Sequence, residues 1–268
     1  MKKKHIGTLV VKFGTENFFG GDEHLDQGVF DHYARQIAEL SNVGTRVVIV
    51  SSGSIKAGRE RLSSLSISSD CFNKKEIAGI GNRHLLNKWG DSFSSYGKEI
   101  AQVWVTFANW QDDHERENIR TALDTYASHG IIPVVNENDV ISDEEIRLME
   151  EGISENDRLA RMVAFLLKSD AVLFLTRVGG VYSGDPSQDK DARLYAEIDW
   201  REWRNDSSKI AGTSHNGSGG MRVKVHEATL CAQAGMRVAV AGGVPNVIEM
   251  FSSGCDVGTM IGLRDRFY

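Results

Sequence analysis

Short apolar runs alternate along this chain with stretches whose apolar residues return every three or four positions. Residues 7–13 (GTLVVKF) and 45–51 (TRVVIVS) have the length and composition of buried strands. Between them Val29, Phe30, Tyr33, Ile37 and Leu40 recur at helical spacing, so these segments predict a βαβ unit. Residues 101–107 (AQVWVTF) and 131–135 (IIPVV) bracket a second helical stretch through Ile119, Leu123 and Tyr126. The alternation continues with a helix at 155–169, a strand at 171–176, a helix at 219–235 and a strand at 236–242. Strands separated by helical crossovers imply an α/β fold whose mostly parallel central sheet is covered on both faces, a three-layer αβα sandwich. The serine-rich piece RLSSLSISSD at 61–70 reads as a surface loop. Trp200 and Trp203 are spaced to share one helical face, as a core or subunit contact.

Nothing in the sequence reads as a linker between domains. The one place for a division into lobes is near residue 150, where residues 142–157 (SDEEIRLMEEGISEND) are acidic and polar. The expectation is a single domain over 1–268, with lobes of about 1–153 and 154–268. With 41% apolar and 25% charged residues, the chain has the composition of an ordinary globular protein. A net charge of -6 gives no electrostatic case for nucleic acid. Cys71, Cys231 and Cys255 are odd in number and outside any CxxC pattern, which fits reduced thiols. The basic start is followed by an apolar run too short for a signal peptide, and no run approaches the ~20 residues of a membrane span. A cytoplasmic location, with no membrane partner, is therefore expected.

In a parallel α/β sheet, ligands gather beyond the carboxyl ends of the strands. Lys12, Gly14 and Thr15 follow the first strand, SSGS at 51–54 follows the second, and NEND at 136–139 follows IIPVV. Taken singly, each is an ordinary turn or cap sequence. Together they place glycine N–H groups, a helix N-terminus and a lysine on one edge, which suits an anion. GSGGMRVK at 217–224 repeats the arrangement, a glycine-rich turn opening a helix that carries Lys224. Two lysines on separate glycine-associated loops suit phosphoryl transfer, whose barrier falls mainly through positioning and charge neutralisation. No GxxxxGK[ST] or GxGxxG motif is present, so phosphate is held in some other way. The eight histidines show no metal-ligand spacing, and no protein metal ligand is assigned.

These stretches, with ENDRLARMVAFLLKSDAVLFLTRVGGVYSGDP, resemble the amino acid kinase superfamily, nearest its glutamate 5-kinase branch, in order and spacing from about residue 7 to 260. The resemblance implies an amino-acid-binding lobe followed by an ATP-binding lobe. It also implies transfer of phosphate from ATP, with Mg2+, to the side-chain carboxylate of L-glutamate, the first step of proline synthesis. Position by position it makes Lys12, Lys224 and Asp157 the catalytic set, Asp157 holding the lysines. Ser52, Gly53, Asn138, Asp139 and Asn156 become the substrate contacts. Lys12, Thr176, Arg177, Ser218, Gly219, Gly220, Met221 and Lys224 become the nucleotide contacts. A homo-oligomer and proline as feedback inhibitor are further implications, in a form without the C-terminal PUA domain. The chain departs from the family pattern in SEND at 154–157, where GDND is usual, and in Arg177, where an aspartate is usual. Arg177 either reaches an ATP phosphate or faces solvent and pairs with an acid such as Asp185. The departures leave two alternatives standing: another small acceptor on the same fold, and a non-catalytic sensor of nucleotide or amino acid.

Overall fold

The computed structural model describes residues 6–19, 24–142, 155–205 and 220–263. Two compact units form, one of residues 13–147 and the other of residues 1–12 with 148–268. The first twelve residues therefore group with the carboxy-terminal part, not with the amino-terminal lobe that the sequence suggested. Asp170 is one of the residues that fasten them there. Its Oδ2 accepts from the N–H groups of Gly7 and Thr8 at 3.0 Å each, and its own N–H donates to the Thr8 carbonyl at 3.0 Å.

Strand β1 is Thr8–Phe13, and every residue in it is buried. Within the unit of residues 13–147, α1 (Gln27–Asn42), β2 (Arg46–Ser51), α2 (Ser54–Ser64), α3 (Lys74–Ser94), β3 (Ile100–Val105), α4 (Phe107–Gln111), α5 (Asp113–Ser128) and β4 (Ile132–Glu137) follow in order. The strands run in the order β3-β4-β2, all parallel, with Ile49 opposite Val134 and Ile100 opposite Ile132. Helix α1 starts where the Asp26 carboxylate caps the Gly28 N–H, and it buries Phe30, Ala34, Ile37 and Ala38 at helical spacing. Around Trp89 the rings of Phe13, Phe18, Phe30 and Phe93 lie 4.9 to 5.7 Å away, the aromatic centre of this core.

The longest described helix, α3, is absent from the sequence expectation. Asn73 and Glu76 cap it reciprocally, and its buried face mixes Ile77, Leu85 and Trp89 with Gly81, Asn82 and Ser92. The two glycines Gly58 and Gly81 let α2 and α3 cross almost backbone to backbone. A Cβ on Gly81 would fall 1.7 Å from the Ser54 carbonyl oxygen and 2.5 Å from the Gly58 nitrogen. Backbone cannot give way there without moving a helix. Gly81→Ala should therefore lower the unfolding free energy by at least about 1–3 kcal/mol, the usual cost of overpacking. Chemical denaturation would measure it, and an unshifted midpoint would mean that the crossing is looser than described. The same packing turns the start of RLSSLSISSD into helix: α2 runs to Ser64, with Leu62 buried, so only the later part of that piece is loop.

The other unit continues from β1 with α6 (Glu155–Leu166), β5 (Ala171–Leu175), β6 (Glu197–Asp199), α7 (Trp200–Asn205), α8 (Gly220–Gln233), β7 (Arg237–Ala241), α9 (Val247–Ser252) and β8 (Thr259–Gly262). Its strand order is β1-β5-β7-β8-β6, with β5 and β7 parallel and β7 and β8 antiparallel. The eight strands are thus mostly parallel and flanked by helices, the α/β class that the alternation predicted. Trp203 is buried against this unit.

Candidate active site

Lys12 lies near the end of a strand that is apolar apart from it and Thr8, yet it is only 3% exposed. Its Nζ is 2.8 Å from Oδ1 of Asp157, in the first turn of α6. Lys224, in the second turn of α8, donates to the same Oδ1 at 2.9 Å. One carboxylate oxygen therefore keeps two ammonium groups within two hydrogen-bond lengths of each other, against their mutual repulsion. The Phe174 ring of β5 lies 6.0 Å from the Lys224 Nζ. One helical turn further on, α6 and α8 are joined by a second ion pair of reversed polarity, Arg161 to Glu227. Two opposed pairs a turn apart hold the two helices in register.

Burial pushes the Asp157 carboxyl up, but Lys12 and Lys224 outweigh it and hold the group at about 2, below its ordinary 3.8. A folded value below the unfolded one means stability that is present above about pH 4 and lost as pH falls towards 2. At about 1.4 kcal/mol per unit, the loss is about 2 kcal/mol. Urea midpoints measured from pH 5 to 3 should fall more steeply for the parent than for Asp157→Asn; parallel curves would count against the assignment.

Thr176, just beyond β5, is buried, and its N–H donates to the Ala241 carbonyl at 3.0 Å. Gly242 approaches so closely that a Cβ would sit 1.6 Å from the Thr176 oxygen. Arg177 follows on the exposed side. The Asp185 carboxyl is held below its ordinary value mainly by the Ser187 hydroxyl and N–H, with a smaller contribution from the Arg177 charge. Gly220 opens α8 with φ 52°, a left-handed conformation that suits glycine, and Met221 follows, partly exposed. Ser218 and Gly219 lie outside the described residues, as does Ser154. Asn156 is buried next to Asp157 in sequence, in the unit that carries the lysines.

A second polar cluster lies in the unit of residues 13–147. Gly53, φ 103°, sits at the start of α2 in a conformation that glycine favours. The Ser52 N–H donates to the Phe13 carbonyl at 3.1 Å, and Ser52 is buried. Beyond β4, Asn138 builds a turn: its N–H donates to the Val105 carbonyl at 2.8 Å, and its own carbonyl accepts from Ser142 at 3.0 Å. That turn buries Asp139 to 1% exposure. Oδ2 of Asp139 accepts from the Ser54 hydroxyl at 3.1 Å and from Asn82 Nδ2 at 3.3 Å. Asn136 Nδ2 donates to Asn82 Oδ1 at 2.7 Å. Oδ1 of Asp139 and Oδ1 of Asn136 are buried without a hydrogen-bond partner among the described residues. Buried acceptors without donors are costly. Glu137 is buried as well and accepts from the Ser142 hydroxyl.

The structure thus brings together Lys12, Lys224 and Asp157 in one unit, and places Ser52, Gly53, Asn138 and Asp139 in the other. Asn82 and the hydroxyl of Ser54 were not singled out by the sequence. Ser54 lies within SSGS. Asn82 left one faint signal, a short amide between apolar positions at helical spacing. Among the described residues, no group of three or more histidine, cysteine, aspartate or glutamate side chains is placed to hold a metal ion. Nor is any described helix long and apolar enough to cross a membrane.

A mostly parallel α/β fold thus carries two buried lysines paired with one carboxylate. Residues 7–242 match the sequence model of the amino acid kinase family, and the chain belongs to that family. Among its relatives, the protein named glutamate 5-kinase of Dehalococcoides mccartyi is 38% identical, over 94% of this chain and 67% of that one. The glutamate 5-kinase of Sodalis glossinidius is 37% identical over 94% and 68%, and that of Proteus mirabilis 36% over 96% and 69%. Solved structures share the fold at lower identity. The UMP kinase of Bacillus anthracis superposes with a TM-score of 0.62 at 16% identity, over 96% of each chain. The UMP kinase of Ureaplasma parvum gives 0.61 at 14%, over 96% of this chain and 99% of that one.

Proposed function

We infer that this chain is an ATP-dependent kinase that phosphorylates the side-chain carboxylate of L-glutamate to glutamyl 5-phosphate, the entry to proline biosynthesis. The observation that carries the reading is the buried pair Lys12 and Lys224 on Asp157, in a chain whose relatives are glutamate 5-kinases. The acceptor carboxylate, with an ordinary pKa of about 4.3, is already ionised at neutral pH and needs no general base. One of its oxygens forms a bond to the γ-phosphorus of ATP. The bond from that phosphorus to the β–γ bridging oxygen breaks, and its electron pair leaves with ADP. Charge accumulates on the transferred and leaving oxygens, where Lys12 and Lys224 neutralise it, while Asp157 keeps both lysines charged and aimed.

Thr176, Arg177 and residues 218–221 serve the nucleotide in this reading. Mg2+ enters on the phosphates, as part of the MgATP substrate. Asp139 takes the α-ammonium group, an assignment its buried, donor-lacking Oδ1 supports, and Ser52, Gly53, Asn138 and Asn156 serve the rest of the amino acid. A cytoplasmic homo-oligomer, inhibited by proline, completes the proposal.

A coupled assay of ADP release over L-glutamate, L-aspartate and glutarate tests it. Glutamate should support turnover best, and ADP formation with aspartate but none with glutamate would remove the assignment. Asp139→Ala should raise the KM for glutamate by about 10- to 100-fold, the worth of a hydrogen bond to a charged group, with kcat changed far less. A variant with the parent's KM would put the ammonium site elsewhere.

A further inference from the structure

We propose that Asn82 is a polarity relay that makes the acceptor pocket selective for an ammonium group; this rests on the reading of Asp139 above. The argument follows from what each group can do. An ionised carboxylate only accepts hydrogen bonds, so the Asn82 amide must turn its Nδ2 towards Asp139 Oδ2, as it does at 3.3 Å. That leaves Asn82 Oδ1 on the other side, where it can only accept. Asn136 must answer with its own Nδ2, 2.7 Å away. The last free choice in the chain is thereby removed, and Asn136 is left presenting its Oδ1.

The result is two buried oxygens, Asp139 Oδ1 and Asn136 Oδ1, that lack a hydrogen-bond partner among the described residues. Both belong to side chains held by the same Asn82 amide. Asp139 Oδ2 is already engaged by Ser54 and Asn82, so its other oxygen is the one left for a ligand. A site with two acceptors suits a cation that only donates, and it disfavours a ligand oxygen. Without Asn82 the Asn136 amide could rotate and present its NH2 group, and the pocket would lose that preference.

Asn82 is set in place by backbone. It is 5% exposed, and it follows Gly81, the residue against which the Ser54 carbonyl packs. The α2–α3 crossing thus delivers Ser54 and Asn82 together to the same carboxylate oxygen. Asn82 is a positioning residue, acting on substrate through Asp139 and Asn136.

The test compares L-glutamate with glutarate, which has the same two carboxylates and chain length but no ammonium group. KM for glutamate and KI for glutarate as competitor are measured for the parent, Asn82→Leu and Asn82→Gln. Asn82→Leu should weaken glutamate about tenfold or more, the loss expected when a hydrogen bond to a charged group is misdirected. Its glutarate constant should stay within about threefold of the parent, because glutarate gains nothing from the relay. Asn82→Gln keeps both ends of the amide and should recover most of the preference. Should Asn82→Leu fail to accumulate as folded protein, Asn82→Ala is read by the same ratio. Equal weakening of both acids, or an unchanged ratio in a folded variant, overturns the relay alone. A parent protein that binds neither acid removes the functional reading and the relay with it.

Discussion

Asp157→Asn is expected to lower kcat by about 10²- to 10³-fold, the range for losing one electrostatic element of an active site. It should also lower the unfolding free energy by roughly 3–5 kcal/mol, as when one partner is removed from a buried ion pair. Asparagine has nearly the same volume, so packing is preserved and the charge alone is removed. Lys12 and Lys224 would then face each other, both buried, without the negative charge that now lies 2.8 and 2.9 Å from them. A bound triphosphate can supply the missing negative charge, so saturating ATP should raise Tm more in the variant than in the parent. Thermal unfolding with and without ATP, beside steady-state kinetics, measures both. A variant with the parent's Tm would show that the lysines need no counterion in the folded chain, and Asp157 would lose its organising role.

Lys12→Met and Lys224→Met carry the second large effect. Methionine keeps much of the apolar stem and removes the charge, so each should fold while losing about 10²- to 10³-fold in kcat. Each single variant still leaves Asp157 one lysine, so its stability loss should be smaller than that of Asp157→Asn. The double variant deprives the buried carboxylate of both lysines, and its cost should exceed the sum of the singles by about 0.5–3 kcal/mol, the range of coupling between touching groups. Chemical denaturation of the four proteins closes that cycle. Full turnover by either single variant would return that lysine to a structural role, whereas additive stabilities would mean that the two do not share Asp157.

The alternation of apolar runs carried most of the fold. Strands β1, β2, β4, β5 and β7 lie within a residue or two of their expected bounds, because a buried strand needs a continuous apolar run and little else. Helix α3 was hidden for the opposite reason. Its buried face includes Gly81, Asn82 and Ser92, chosen for a close helix crossing and a polar pocket, so its apolar period is broken. The serine-rich start of 61–70 read as loop by composition, yet Ser63 and Ser64 are helical because Leu62 is anchored beneath them.

The site divides in the same way. By itself the sequence picked out candidates: Lys12, Lys224, Asp139 and Asp157 are each ordinary residues of strand, helix or turn, and only their convergence at strand ends and the family resemblance singled them out. Only the tertiary structure decided that Lys12 and Lys224 share a single oxygen of Asp157, although they are far apart in the chain. It alone showed that the first strand is fastened by Asp170 to the unit that carries both lysines, and that Asn82 hydrogen-bonds both Asp139 and Asn136. Hydrophobic period depends on neighbours a few residues away and survives in one dimension. Hydrogen bonds between side chains depend on distances of about 3 Å between atoms that sequence separation does not constrain.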